Sequence, residues 1–126
     1  MHFARLRFLI TFTTASLGLL LFWCSHAVQV AARPEARRID VVAKRYAYIP
    51  ADITLHRGEP VVLVLRSEDV AHGIKFSELG LQSEIGKGQT GELAFTPDRA
   101  GDFIGHCSHF CGSGHGSMTL TLHVLP

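Results

Sequence analysis

"HCSHFCGSGHGSM", His106 to Met118, places two cysteines, three histidines and a methionine within thirteen residues, separated by small residues. The chain has three cysteines in all, so two of them meet here. A disulfide, a zinc clip and a copper centre each draw on these residue types, and the spacing has to discriminate between them. A Cys107–Cys111 disulfide would close a very small loop and remove little entropy from the unfolded chain, because that stabilisation grows with loop length. It would also leave His115 and Met118 without a role. Structural zinc favours close C-x-x-C and H-x-H hooks, whereas these cysteines stand four apart and a thioether follows the last histidine by three. Methionine is a poor ligand for zinc and a good one for copper. Thiolate, imidazole and a weak thioether suit an electron-transfer copper site, where sulfur stabilises the reduced ion and imidazole supports the oxidised one. Copper is therefore the leading reading, with disulfide and zinc as the alternatives.

The segment lies near the end of a chain of 126 residues, which has room for about one domain. Arg5 and Arg7 precede an uncharged run, "FLITFTTASLGLLLFW", from Phe8 to Trp23, which reads as the basic and apolar regions of an export signal. Ser25-His26-Ala27 offers a small-x-small cleavage site. The weakly polar stretch nevertheless continues to Ala32, long enough to span a bilayer of roughly 30 Å. Residues 1–32 are read as a signal peptide or a membrane anchor, 33–38 ("ARPEARR" and its surroundings) as a linker, and 39–126 as the functional domain. Cys24, behind "LFW", is a bystander. The expected location is the periplasm or the cell exterior, with the first segment as a tether if it is retained.

From Ile39 onward the pattern is one of short β segments. Ile53 and Leu55 share a face, and "PVVLVLRS" from Pro60 is a β-branched run fit for a strand buried on both faces. Leu93 alternates with Phe95, and Met118, Leu120, Leu122 and Val124 alternate with Thr119, Thr121 and His123. Arg57-Gly58-Glu59-Pro60, Gly86 to Gly91 and Pro97 to Gly101 supply turns. Ser77 to Ile85 could hold a short turn, and no amphipathic helix follows the leader. Many short strands between turns predict an all-β, antiparallel sandwich.

A fourth ligand has to come from elsewhere, and His72 in "SEDVAHGI" is the candidate. Asp69, three residues earlier, could hold its second ring nitrogen. Asp69-Val70-x-His72 followed by Cys107-x-x-x-Cys111-x-x-x-His115-x-x-Met118 resembles the binuclear CuA domain of cytochrome c oxidase subunit II, shared with the C-terminal domain of nitrous-oxide reductase. The resemblance runs roughly from Ile39 to Val124. It implies a cupredoxin-like Greek-key β-sandwich and two copper ions bridged by the thiolates of Cys107 and Cys111. One ion would take His72 and Met118, the other His115 and the backbone carbonyl of His109. Subunit II usually carries glutamate where His109 stands, with its carboxylate toward a magnesium site. Its two membrane helices and its tryptophan-containing docking patch also have no counterpart here, since one hydrophobic segment precedes the domain and the only tryptophan is Trp23.

The remaining histidines are read blandly: His2, His26, His56 and His123 as solvated, and the side chains of His106 and His109 as neighbours of the site. Tyr46, Tyr48, Phe76 and Phe110 are read mostly as core or rim. Gly105, Gly112, Gly114 and Gly116 are read as allowing a tight ligand loop. Twelve basic residues less Arg5 and Arg7 leave ten against eleven acidic ones, so nothing points to nucleic acid. No nucleophile or acid–base grouping stands apart from the metal ligands, so the chain is not expected to be catalytic alone. The expected role is electron transfer, from a soluble donor such as a c-type cytochrome to a partner oxidase or reductase. A copper carrier or assembly factor and a mononuclear blue-copper protein are the competing functions.

Overall fold

The computed structural model describes residues 34–126; the hydrophobic segment read as signal or anchor lies outside them. Among the described residues, no helix is long and apolar enough to cross a membrane. Nine strands follow one another: β1 (Arg37–Lys44), β2 (Ala47–Ile49), β3 (Asp52–His56), β4 (Val61–Ser67), β5 (His72–Phe76), β6 (Leu81–Ile85), β7 (Thr90–Phe95), β8 (Gly101–His106) and β9 (Thr119–Leu125). Short 3-10 turns occupy Ser77–Leu79 and His115–Ser117.

The strands form two sheets, one of four strands in the order β2-β1-β4-β7 and one of five in the order β3-β9-β8-β5-β6. The sandwich is all-β as expected, but it is not purely antiparallel. β1 runs parallel to β4, with Val41 opposite Leu65, and β3 runs parallel to β9, with Leu55 opposite Val124. Period-two alternation says which residues share a face and nothing about which strand lies alongside or in what direction. Direction is decided here by the chain crossing from one sheet to the other between β2 and β3.

Alternation does predict the interior. Val41 and Ala43 of β1, Ile53 and Leu55 of β3, Ile74 and Phe76 of β5, and Leu120, Leu122 and Val124 of β9 are all buried between the sheets. β4, flanked by β1 and β7, buries Val61, Val62, Leu63 and Leu65, as a near-continuous apolar run requires. Each such aliphatic side chain contributes about 2 kcal/mol of burial free energy. The core has one tight spot: a Cβ at Gly105 in β8 would come within 2.6 Å of the Phe76 ring, so this glycine makes room for packing and is not part of a flexible loop.

His123 departs from its solvated reading. Its Nδ1 lies 2.7 Å from Asp102 Oδ1 in β8 and its Nε2 lies 3.1 Å from Asp52 Oδ1 in β3, so the imidazole ties β9 to both of its neighbours. The Asp102 carboxylate first, and Asp52 after it, raise the imidazole pKa above its ordinary 6.5. A pKa higher in the folded than in the unfolded state means that protonation favours folding. That contribution is complete below the unfolded value and is lost as pH rises through the folded one. We therefore expect the melting-temperature advantage of the natural protein over a His123→Gln variant, both metal-free, to shrink as pH goes from about 5.5 to about 8. A difference that does not change with pH would remove the imidazolium clamp.

Candidate metal centre

The elements that pair in the five-stranded sheet also deliver the site. β8 ends at His106 and hands over Cys107, whose amide donates to the Met118 carbonyl at 3.0 Å, so both ends of the ligand loop are pinned where β9 begins. The amide of Ser108 donates to the Gly73 carbonyl at 3.2 Å, continuing the pairing of β8 with β5 beyond Lys75 and His106. The buried Tyr48 hydroxyl donates to that same carbonyl, which links β2 to the entrance of β5. His72 is the first residue of β5 and is therefore carried to the cysteine loop by strand pairing.

The loop closes around sulfur. Cys107 Sγ lies 3.7 Å from Cys111 Sγ, and both thiols are free; a disulfide would bring the sulfurs to about 2.05 Å. Cys111 Sγ lies 3.9 Å from Met118 Sδ and 4.0 Å from His115 Nδ1. Cys107 Sγ lies 3.2 Å from the carbonyl oxygen of His109, so that backbone oxygen faces the sulfurs while the His109 side chain is exposed and 3.8 Å from Glu84. One ligand atom from each of His72, Cys107 and Cys111 falls within 4.8 Å of the others, and all three residues are buried. The three mutually close residues are thus His72, Cys107 and Cys111, with His115 and Met118 beside Cys111 and the His109 carbonyl beside Cys107.

His72 supplies the test of whether a cation belongs here. The residue is 1% exposed. Its Nε2 lies 2.7 Å from Asp69 Oδ1, while Nδ1 is buried with no hydrogen-bond partner. With Nε2–H donating to the carboxylate, Nδ1 carries the lone pair, and a buried acceptor without a donor is costly. Two thiols, a thioether and a lone-pair nitrogen make a donor set for a soft or borderline cation such as copper.

The surroundings hold these groups. Burial works against ionisation of Asp69, but hydrogen bonds from the amide of Arg45, from His72 and from the amide of Val70 hold its carboxyl down at about 2. Burial, with the neighbouring Cys107 thiol adding to it, pushes the Cys111 thiol up to about 11 in the metal-free protein. Burial also raises the Tyr48 phenol, again with Cys107 beside it. Metal uptake therefore has to displace protons, and binding weakens as pH falls.

The aromatic residues divide as follows. Tyr48 and Phe76 are buried in the core, whereas Tyr46 is on the rim and Phe110, 76% exposed, stands over His115 with ring centroids 5.7 Å apart. His106 and His56 are exposed at strand ends. Of the loop glycines, Gly112 has φ of +137°, which other residues rarely adopt, while Gly116 has open space around it. Sequence reasoning missed Arg45, whose Nε donates to the Cys111 carbonyl at 2.8 Å, and Glu84, which faces His109. Neither carries a local pattern, since both are ordinary charged residues on distant strands or turns.

A family model described as a cupredoxin-like domain matches residues 14–120. The periplasmic domain of cytochrome oxidase subunit II of Bradyrhizobium japonicum superposes with a TM-score of 0.66 at 18% identity, over 73% of this chain and 86% of that one. The metal-binding domain of the Cu(I)-exporting P-type ATPase of Streptococcus pneumoniae D39, solved with Cu(I), gives 0.62 at 23% identity, over 75% and 90%. Auracyanin A, a "blue" copper protein of Chloroflexus aurantiacus, gives 0.60 at 17% identity, over 72% and all of that chain. At these identities the neighbours show a shared fold. The match to the family model extends over most of the sequence, and on that ground the chain belongs to the cupredoxin-like domain family.

Proposed function

We propose that this chain is an extracytoplasmic electron-transfer protein that holds two copper ions in a CuA-type centre. The observation that carries this reading is the pair of free thiols 3.7 Å apart, within 4.8 Å of a ring nitrogen of the buried His72, whose Nδ1 has no hydrogen-bond partner. Cys107 and Cys111 would hold the ions through their thiolates. His72 and Met118 would complete the set on one side, and His115 and the His109 carbonyl on the other. Copper, when bound, supplies a one-electron couple.

The chain's own residues account for the rest. Met118 is fully buried and closes the core side of the site against water. Asp69 holds the His72 ring in one tautomer and one orientation. Backbone hydrogen bonds at Cys107 and Ser108 fix the loop at both ends, so little rearrangement accompanies a change of charge. His115, half-buried beneath the exposed Phe110, is the most exposed of the residues whose side chains would hold the ions and the natural point of electron exchange with a partner. The basic-then-apolar leader and the periplasmic subunit II neighbour support a location outside the cytoplasm. A soluble donor such as a c-type cytochrome, and an oxidase or reductase as acceptor, follow from the same reading, with residues 8–32 as the tether if they are retained.

Copper stoichiometry on the loaded protein tests this, together with the hyperfine pattern of its electron-spin resonance. Two ions per chain and an electron shared between two copper nuclei are expected, and Cys107→Ser should abolish that signal. Uptake of a single ion, or an unchanged spectrum in the serine variant, overturns the binuclear reading. Replacing Asp69 with alanine should leave the thiols in place yet weaken copper retention against a chelator by about 10- to 100-fold, the usual effect of removing a partner that orients a ligand. Retention equal to that of the natural protein would mean that Asp69 does not orient the imidazole.

A further inference from the structure

The turn joining β1 to β2 belongs to the four-stranded sheet, yet it reaches both arms of a site built by the other sheet. The amide of Arg45 donates to Asp69 Oδ2 at 2.8 Å. The other oxygen of that carboxylate accepts from the Val70 amide and lies 2.7 Å from His72 Nε2. The Arg45 side chain reaches the cysteine arm: its Nε donates to the carbonyl of Cys111 at 2.8 Å in a partly buried bond. Tyr46, the next residue, lays its ring over the loop: a Cβ at Gly112 would come within 2.4 Å of its hydroxyl, and one at Gly114 within 2.4 Å of its ring carbons. Two adjacent residues thus grip the imidazole arm through Asp69 and the cysteine arm through a backbone carbonyl and two glycines.

Arg45 also brings charge. Among the described residues its guanidinium has no carboxylate at ion-pair distance; the nearby Asp69 carboxylate is engaged by the Arg45 backbone amide and not by the guanidinium, which is directed at the Cys111 peptide. A fixed cation beside a redox centre favours the state with less positive charge, and the interaction strengthens where burial lowers the effective dielectric.

We propose that Arg45 is a positioning residue with two separable effects: through Nε it locks the Cys111 loop, and through its charge it raises the reduction potential of the centre. The charge effect rests on the copper reading above; the locking effect does not.

Two variants of the full protein separate them. Arg45→Met removes both charge and donor, whereas Arg45→Lys keeps a charge and has no N–H at the Nε position. The amides of His115 and Ser117, which donate to the carbonyls of Gly112 and Gly114, report loop order by hydrogen exchange in metal-free protein. Both variants should speed that exchange by about 10- to 100-fold, the effect of losing one hydrogen bond from a charged donor. At matched copper content, R45M should have a lower potential than the natural protein, and R45K should lie between the two.

Unchanged exchange in R45K overturns the lock even if R45M does not fold. Equal potentials in R45K and R45M, or an R45M potential equal to the natural one, overturn the charge effect. A natural protein that takes up no copper refutes the proposed function and the charge effect with it, while the exchange rates still decide the lock.

Discussion

A buried imidazole nitrogen with no donor, set against two thiols that do not join, is the constraint around which this end of the sandwich is organised. An unsatisfied buried acceptor costs about 1–3 kcal/mol, and it arises here because Asp69 holds the opposite nitrogen of the His72 ring at the start of β5. The Cys111 thiol, pushed up to about 11 chiefly by burial, belongs to the same arrangement: without a cation this sulfur stays protonated and neutral in a dry setting. Binding a cation would relieve these costs together, so affinity and folding stability are coupled here.

The site is an extension of the sheet. The ladder between β5 and β8 runs on through the Ser108 amide, and Cys107, Cys111 and Met118 belong to the same buried cluster as Phe76 and Leu120. Ligand placement is therefore tied to core packing, and a shift in either sheet would be felt at the sulfurs, since close-packed interiors transmit strain. Gly105 illustrates the tightness: any side chain there would collide with Phe76, two residues before the first cysteine.

The four-stranded sheet contributes no expected ligand, but it supplies the parts that hold ligands still. Tyr48 donates to the Gly73 carbonyl, Arg45 reaches Asp69 and the Cys111 carbonyl, and Tyr46 covers the glycines of the loop. One sheet presents the donors and the other braces them. That division suits electron transfer, where a site that moves little on changing charge keeps its barrier low.

How much of this could be read without coordinates follows from what is local. The segment His106–Met118 declares its chemistry because donor type and spacing lie within one loop, and the alternation at Met118–Val124 declares the inward face of β9, because a strand repeats every two residues. His72 with Asp69 was legible as a pair for the same reason. The parallel pairing of β1 with β4 and β3 with β9 was not, since alternation carries no direction. Nor were the roles of Arg45, Tyr46, Glu84 and His123, whose partners lie on other turns and strands. The sequence by itself determined which atoms could bind a cation and which faces turn inward. Only the tertiary structure decided which residues brace those atoms, because Arg45 and Cys111, like Tyr48 and Gly73, meet across segments tens of residues apart.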